Sequence, residues 1–544
     1  MPKLLKVIVN HYCLYYLLFS LLLFSCLSNG KEPTRMATKD TLPSPTPDLS
    51  LPGSFSPQQT LRFDSAAMQN FFHVYPQWKP YQKEMIRFYQ KRQFAYAWYD
   101  RQGLIEQAWH LYNTLQNIGE EGVSDSLLYA AELRKKMETV TEGVNPIPDS
   151  TLEWMLTAQY FYYAKKSWTG LGVKGMQAIQ WDLPRKKLAY EDYLNSLLNT
   201  SSADYFEQPP IYPQYQLLKE QLKKYRTIAA KGGWGSIPRL KASLRKGDTN
   251  DVLIAVRKRL NVTDDLKGDT LQPFFDESLE DAVKKFQYRH GLTEDGVIGR
   301  KVVEAMNVSV RQRIEQIIVN MERCRWVPVH LKDEYFVVNI PAFHFYAFKD
   351  DSVLWSMKVV VGKSIHQTAI FNGTMKYVVF APYWNVPPGI LRNEVLPALR
   401  RNPAYLRNHH MEWHGNTVRQ QPGSWNALGK VKFLFPNSHN IYLHDTPAKD
   451  LFKQDQRSFS HGCIRVEQPR KLAQQVLRYQ TGWNEERIDS AMNGTKEMYV
   501  TLQKTFPVFI AYFTAWADRA GGMHFRNDIY GKDARLLEML LVKE

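Results

Sequence analysis

Residues 459–466 read FSHGCIRV, so Cys463 has a histidine two positions before it and an arginine two positions after it. A free thiol has a pKa of about 8.5, which leaves only a few per cent of it as thiolate at neutral pH. An imidazole that accepts the thiol proton makes the sulfur a competent nucleophile. His461 and His444 are the nearest imidazoles, and both are candidates for that base.

The local backbone decides where His461 lies relative to Cys463. On a strand the two side chains would share a face, and on a turn they would not. His444 lies in NIYLHDTP, nineteen residues before Cys463, so one strand, a loop and a second strand would bring it alongside the thiol. Gly462 allows close backbone approach and lets consecutive N–H groups point at one oxyanion.

A structural role for the cysteine is the first alternative to this chemistry. Free cysteines are commonly small buried apolar residues. The chain has four cysteines, of which Cys13 and Cys26 lie at the N-terminal apolar run. Cys324 and Cys463 of the folded body could pair, although nothing in the sequence requires it.

A zinc enzyme is the second alternative, because NHHMEWHG contains His409, His410 and His414. The order is H-x-E-x-H and not the H-E-x-x-H of zinc proteases, and no further ligand follows at a characteristic spacing. We predict that these histidines lie on a polar face and that the protein uses neither a metal nor another cofactor.

The composition indicates a large folded protein with a positive charge. At 544 residues the chain has room for about three domains. The hydrophobic fraction of 44% and the charged fraction of 23% are typical of folded soluble proteins. The net charge of +16 favours a polyanionic partner, such as nucleic acid, an anionic membrane or an acidic polymer. The basic residues are scattered and no nucleic-acid motif is present, so we predict no nucleic-acid partner.

The N-terminus predicts export. A positively charged start precedes an apolar stretch, 14–24, that is shorter than a membrane span. The stretch ends in LFSC, which resembles a bacterial lipobox with Cys26 as the lipidated residue. Residues 1–26 are therefore predicted to be a signal peptide, with an uncleaved signal anchor over 7–24 as the alternative. Either interpretation places the body in the periplasm or cell envelope, attached to a membrane.

The pattern then changes along the chain. Residues 27–62 are rich in Pro, Ser and Thr and predict a flexible tether. Residues 63–240 carry apolar residues at spacings of three and four and predict a helical scaffold domain with an aromatic core. Residues 241–308 predict a small helical module, in which Ser278 and Asp281 are placed as a capping box.

The C-terminal half has a different character. Residues 334–515 are rich in Val, Ile, Phe and Tyr and predict a mainly-β domain. A helical pattern at 388–429 interrupts it and predicts a capping insertion, and residues 516–544 form a C-terminal extension. The predicted fold class is multidomain α+β, with a helical scaffold domain, a small helical module and a mainly-β domain that carries a helical insertion.

Two sets of motifs resemble known families. The YkuD-type L,D-transpeptidase signature, a His and then [S/T]-H-G-C-x-R, is matched by His444, Ser460, His461, Gly462, Cys463 and Arg465. NMERCRWVP, VGK, WNVPPGI and NALGKVKFLFPN are similar to strings of the YcbB-like subgroup, which has a scaffold domain and a capping insertion. FQYRHGLTEDGVIG at 286–299 resembles the core of the type 1 peptidoglycan-binding module.

The resemblance implies acyl transfer on peptidoglycan stem peptides. Cys463 would attack the third residue of a tetrapeptide donor, D-alanine would leave and a thioester would form. A diamino-acid amine of a neighbouring stem would then give a 3→3 cross-link. His444 would act as general acid and base, the N–H groups of Gly462 and Cys463 would bind the oxyanion, and Tyr442 would add a hydroxyl.

The other motif residues have supporting roles in this interpretation. Arg465 would either pair with a substrate carboxylate or brace the loop, and Ser460 and His461 would shape the loop and orient His444. A backbone carbonyl can orient the imidazole in this family. The acceptor stays open between a stem peptide, a protein lysine and a free D-amino acid. The alternative functions are a lipid-anchored, non-catalytic peptidoglycan-binding protein and, less favoured, a zinc cell-wall peptidase.

Overall fold

The computed structural model describes residues 61–541, except residues 125, 141–146, 187, 200–208, 329–330 and 351. The predicted signal peptide with Cys26 and the predicted tether up to residue 60 lie outside the described residues. Within the described ranges, no helix is both long enough and apolar enough to cross a membrane.

The first part of the chain is helical, as its pattern predicts. Its helices are α1 (Ala67–Val74), α2 (Gln82–Lys91), α3 (Glu106–Gln116), α4 (Ala130–Glu138), α5 (Ser150–Ala164), α6 (Val173–Ala178), α7 (Tyr190–Leu198) and α8 (Gln214–Ala230). Its short strands are β1 (Tyr99–Asp100), β2 (Gly103–Leu104) and β3 (Trp181–Asp182). Aromatic side chains such as Trp78, Phe88 and Trp98 are fully buried in its core. The aromatic residues of this region therefore pack a core, as predicted.

The second part is a compact helical module. Its helices are α9 (Val252–Val262), α10 (Glu277–His290) and α11 (Arg300–Met306). The N-cap of α10 is Asp276, whose carboxylate accepts the N–H of Leu279 at 2.8 Å. The predicted capping box at Ser278 and Asp281 was wrong, because both lie inside the helix. Aspartate and serine cap helices about equally well, so residue type did not separate the two positions.

A longer helix, α12 (Val310–Trp326), leads from the module to the β domain. Ser309 and Gln312 form a capping box at its start. Its last turns carry charges into the interior, because Glu322, Arg323 and Arg325 are all 0% exposed. These buried charges need partners from the neighbouring domains.

The remaining elements belong to the β domain, its insertion and the tail. The strands are β4 (Glu334–Asn339), β5 (His344–Lys349), β6 (Ser352–Gly362), β7 (Ile370–Phe380), β8 (Trp384–Asn385), β9 (Met411–His414), β10 (Thr417–Gln420), β11 (Val431–Leu434), β12 (Leu443–His444), β13 (Ser458–Ser460), β14 (Ile464–Val466), β15 (Met498–Ala511), β16 (Ala515–Ala517) and β17 (Met523–Phe525). The helices are α13 (Pro388–Ile390), α14 (Leu396–Arg401), α15 (Tyr405–Asn408), α16 (Pro469–Leu477), α17 (Glu485–Met492) and α18 (Lys532–Leu541).

One large sheet organises the β domain. Its strand order is β11-β12-β14-β6-β5-β4-β15-β7-β3, with β13 beside β6. Because β11 pairs with β7 as well as with β12, the sheet closes on itself. The strand β3 comes from the helical first part, where Trp181 pairs with Ile370. The helical part therefore contributes an edge strand to the sheet.

The insertion contains the predicted helices and also strands. Its strands β9 and β10 form a separate three-stranded sheet with β8, which lies just before residue 388. Gly415, with φ of +57°, lies in the turn between β9 and β10. Val386, Val395 and Val418 form a small core under this sheet. Strands this short carry too few alternating positions to stand out against the helical pattern.

The tail joins the helical part to the β domain. Phe525 of β17 lies in the core of the helical part, and Leu536 of α18 lies in the core of the β domain. The carboxylate of Asp533 pairs with Arg323 of α12 at 2.7 Å. The predicted fold class, multidomain α+β with a helical module and a β-sheet domain, is confirmed.

We expect Glu322→Gln to lower the free energy of unfolding by about 3 kcal/mol, because it leaves the buried charge of Arg325 without its counterion. Urea unfolding of residues 52–544, whose described part forms one compact unit, measures this. Glu315→Gln is the matched control: Glu315 pairs with the exposed Arg311 at 3.1 Å on the same helix, and its loss should cost less than about 0.5 kcal/mol. Equal effects of the two variants would contradict the stabilising role of the buried pair.

Candidate active site

Two neighbouring strands bring the predicted cysteine and histidine together. The strand β12 ends with His444, β14 begins directly after Cys463, and the two strands run parallel with His444 opposite Arg465. The N–H of Ile464 donates to the carbonyl of Tyr442 at 3.1 Å, which extends this register. Cys463 therefore lies next to Tyr442, one step before the paired residues of the two strands.

A bend at 461–463 presents the thiol. Gly462 has φ of +115°, a conformation that glycine adopts without strain. The hydroxyl of Ser460 donates to the carbonyl of Cys463 at 2.6 Å and accepts the N–H of Gly462 at 3.1 Å. One hydroxyl thus spans the bend. His461 lies on this bend, so it does not share a strand face with Cys463.

The hydrogen bond to Ser460 changes the predicted set of oxyanion donors. The N–H of Gly462 is already engaged, whereas the N–H of Cys463 has no acceptor among the described residues. The sequence predicted both N–H groups as donors. In this conformation Gly462 is corrected to a residue that shapes the bend, and Cys463 supplies the free N–H.

The thiol of Cys463 is partly buried and faces polar groups. Its Sγ lies 3.7 Å from the carbonyl oxygen of Asn440 and is hydrogen-bonded to the hydroxyl of Tyr442. Burial raises the pKa of the Cys463 thiol, while the hydrogen bonds from Tyr442 and the charge of Arg465 partly offset the rise. Burial and the neighbouring thiol likewise raise the pKa of Tyr442. The thiol is therefore protonated at neutral pH.

The imidazole of His444 is buried and held in one tautomer. Its Nδ1 lies 2.5 Å from the carbonyl oxygen of Asp445, which can only accept, so Nδ1 carries the hydrogen and Nε2 is left as the base. Burial, together with the charge of Arg465, lowers the pKa of His444 to about 4. The structure describes both His444 and Cys463 and records no hydrogen bond between them. The resting pair is thus a neutral thiol and a neutral imidazole.

Asp445 is a supporting residue that the sequence reasoning missed. Its carboxylate accepts the N–H of Lys430 at 2.9 Å and the Nζ of Lys449 at 2.6 Å. A side chain at Gly429 would collide with this carboxylate. These contacts of the Asp445 side chain fix the position of Asp445, and so they fix the Asp445 carbonyl that orients His444. In the sequence, the one signal for this role was that Asp445 directly follows His444.

Arg465 is a cation without a carboxylate partner in the described part of the chain. Its Nε is buried and has no hydrogen-bond partner. The main chain of Arg465 pairs with His444 on one side and with Val360 of β6 on the other. Burial lowers the pKa of the guanidinium, and the nearby Cys463 opposes this shift. The site therefore contains a positive charge that a bound anion can neutralise.

The capping insertion borders the site through His461. The Nε2 of His461 lies 3.4 Å from a carboxylate oxygen of Glu394 in the insertion, and its ring lies 5.1 Å from that of His366. His461 therefore contacts the insertion, and the predicted contact that would orient His444 is made by Asp445 instead.

The histidines of the zinc alternative are spread over separate contacts. His409 stacks on Tyr405 at 4.1 Å, and His410 stacks on Trp425 at 3.9 Å. No group of three or more His, Cys, Asp or Glu side chains within the described ranges is arranged to hold a metal ion. Cys324 is buried and unpaired, so it forms no disulfide with Cys463.

Comparison with protein families gives three matches along the chain. Residues 333–510 match the YkuD L,D-transpeptidase catalytic domain, residues 83–222 match a "Scaffold domain", and residues 251–306 match the "Putative peptidoglycan binding domain". A curated "Putative L,D-transpeptidase" of Haemophilus influenzae is 30% identical over 242 residues, which is 41% of this chain and 49% of that protein. The match thus spans about half the length of this relative.

Solved structures similar to the chain include two L,D-transpeptidases. The one from Xylanimonas cellulosilytica is 12% identical and covers 50% of this chain and 99% of its own, with a TM-score of 0.18. The one from Stackebrandtia nassauensis is 13% identical and covers 49% of this chain and 94% of its own, with a TM-score of 0.22. From the family matches, the chain contains a YkuD L,D-transpeptidase catalytic domain, a type 1 peptidoglycan-binding domain and a scaffold domain.

We expect the rate of Cys463 alkylation by iodoacetamide to keep rising with pH beyond about 8.5, the ordinary thiol value, because burial disfavours the charged thiolate. The rate is measured by mass spectrometry on residues 52–544, in which Cys324 is the other cysteine. Burial raises the pKa of Cys324 to about 12, so that thiol should react far more slowly.

Tyr442→Phe should slow alkylation further at each pH, because it removes a hydrogen bond that favours the thiolate. A rate that already reaches its plateau below pH 7 would instead show a resting thiolate–imidazolium pair, and would contradict the neutral resting state.

Proposed function

We propose that this chain is a peptidoglycan L,D-transpeptidase that forms 3→3 cross-links through a cysteinyl thioester. The observation that carries the proposal is the placement of Cys463 and His444 at the ends of adjoining parallel strands, with the unpaired cation of Arg465 opposite His444. The match of 333–510 to a transpeptidase domain and the match of 251–306 to a peptidoglycan-binding domain support the reaction and the substrate class.

In the first half-reaction, the Sγ of Cys463 attacks the carbonyl carbon of the third, diamino residue of a tetrapeptide stem. The thiol proton passes to the Nε2 of His444 as the carbon–sulfur bond forms. The tetrahedral intermediate then expels the amine of D-alanine, which receives that proton from His444. The products are free D-alanine and a thioester on Cys463.

In the second half-reaction, the side-chain amine of a diamino acid on a neighbouring stem attacks the thioester carbonyl. His444 takes the proton from the attacking amine and returns it to the sulfur as the carbon–sulfur bond breaks. A new amide joins the two third residues, and the thiol is regenerated. A protein lysine and a free D-amino acid also offer an amine as nucleophile. The choice of acceptor would therefore depend on which of these amines can pass the insertion and reach the thioester.

The oxyanion of each intermediate is bound by two donors in this proposal. The N–H of Cys463 has no acceptor among the described residues, and the hydroxyl of Tyr442 lies beside the sulfur. Burial makes each of these hydrogen bonds stronger than it would be in water. The N–H of Gly462 stays with Ser460 and keeps the bend in shape.

The proposed location rests on the sequence before residue 61, and the proposed wall partner rests on the peptidoglycan-binding match at 251–306. We propose attachment to a membrane of the cell envelope through lipidated Cys26, with a signal anchor as the alternative, and a position in the periplasm. The peptidoglycan-binding domain would then hold the enzyme on its substrate polymer.

We expect residues 52–544 to form an acyl adduct when incubated with disaccharide-tetrapeptide, with D-alanine released and a dimeric product formed. Intact-protein mass spectrometry detects the adduct, and Cys463→Ala is the control that must show none. His444→Ala should lower the rate of adduct formation by on the order of 10²- to 10⁴-fold. Binding of the wall fragment with neither adduct nor product would favour the non-catalytic peptidoglycan-binding alternative.

We expect Arg465→Ala to raise the KM for the tetrapeptide donor by about 10- to 100-fold, because the cation no longer meets a stem carboxylate. The kinetics are measured on a donor with free stem carboxylates and on one with those carboxylates amidated. Amidation of the donor should raise the KM of the wild type by the same factor and should leave the KM of the variant unchanged. If Arg465→Ala weakened the reaction equally with both donors, Arg465 would instead be a residue that braces the loop.

A further inference from the structure

A buried threonine connects the catalytic bend to the end of β6. The hydroxyl of Thr368 donates to the carbonyl of Gly462 at 2.8 Å and accepts the N–H of Gly362 at 2.9 Å. Thr368 is 0% exposed, so water does not compete for these bonds. A side chain at Gly362 would collide with the carbonyl of His366, so glycine allows the tight turn that brings Thr368 back to the strand.

A tyrosine of the tail holds this connection in place. The hydroxyl of Tyr530 donates to the carbonyl of Gly362 at 2.7 Å and accepts the N–H of Thr368 at 3.2 Å. The ring of Tyr530 packs on Tyr512 at 5.6 Å, and the N–H of Tyr530 donates to the Tyr512 hydroxyl at 2.9 Å. Tyr530 lies beyond the 333–510 match to the catalytic domain.

These contacts fix the direction of one N–H group. The peptide between Gly462 and Cys463 is planar, so its carbonyl and its N–H point in opposite directions. Thr368 holds the carbonyl on one side, which leaves the N–H of Cys463 aimed the other way. Gly462 has no side chain to restrict its backbone, so this peptide would rotate more freely without the hydrogen bond.

We propose that Thr368 and Tyr530 are positioning residues that aim the N–H of Cys463 at the oxyanion, acting through the carbonyl of Gly462. The proposal rests on the transpeptidase function stated above. It makes the C-terminal extension part of the active site's support, since the phenol of Tyr530 fixes both ends of the turn that carries Thr368.

The test compares variants that remove one hydroxyl each. Tyr530→Phe and Thr368→Val should each lower the rate of acylation by disaccharide-tetrapeptide by about 10-fold, because the oxyanion donor is loosened and not removed. The loss should appear in kcat with little change in KM, since the donor acts on the intermediate and not on the bound stem. Thr368→Ser keeps the hydroxyl and should restore most of the rate.

The double variant and a control separate positioning from general stability. Tyr530→Phe combined with Thr368→Val should lose little more than either alone, because both act through one chain of hydrogen bonds. Tyr479→Phe removes a phenol that donates to Glu334 at 2.6 Å, away from the bend, and should leave kcat unchanged.

Amide hydrogen exchange over 459–466 gives a readout that needs no substrate. Exchange at Gly462 should quicken in Tyr530→Phe and in Thr368→Val, and not in Tyr479→Phe. Unchanged exchange and unchanged acylation in both variants, with an active wild type, would overturn the proposal. An inactive wild type with quickened exchange in both variants would refute the transpeptidase function and still support the positioning of the bend.

Discussion

The buried ion pair of Glu322 and Arg325 at the end of α12 is the interaction on which the domain arrangement depends. Both side chains are 0% exposed, and an unpaired charge at that depth would be strongly destabilising. The helical part supplies further partners to this pair, because the N–H of Leu171 donates to Glu322 and the carbonyls of Ser167 and Glu121 accept from Arg325. Since α12 leads directly into the β domain, the orientation of the sheet is set by these directional polar contacts.

The same helix end fixes the tail and, through it, the candidate active site. Arg323 pairs with Asp533, and the ammonium of Lys532 donates to the carbonyl of Ile179 at 2.6 Å. The start of α18 is therefore tied both to α12 and to the helical part. Tyr530 lies two residues before this anchored segment, and its hydroxyl reaches the end of β6. The geometry of the bend at 461–463 thus depends on residues from the scaffold, the β domain and the tail together.

The sequence predicted the residue types of the site but not the hydrogen bonds between them. Cys463 and His444 were singled out because they belong to a recognisable motif, and the α+β architecture was predicted from the apolar spacing. The occupied N–H of Gly462 and the carbonyl that orients His444 were not predictable, because backbone groups are the same at every position. Thr368 and Tyr530 were missed because they lie far from the motif, and their contact exists only in the closed sheet.

The positive charge of Arg465 affects the protonation of both His444 and Cys463. It disfavours imidazolium at His444 and favours thiolate at Cys463, so its two effects on moving the proton from sulfur to nitrogen oppose each other. Burial acts against both charged forms. In the proposed reaction the proton would therefore move as the carbon–sulfur bond forms, when the negative charge passes to the substrate oxygen. Stabilisation of that oxygen by the N–H of Cys463 would then carry the proposed chemical step, so the support of one peptide plane would matter more than a preformed ion pair.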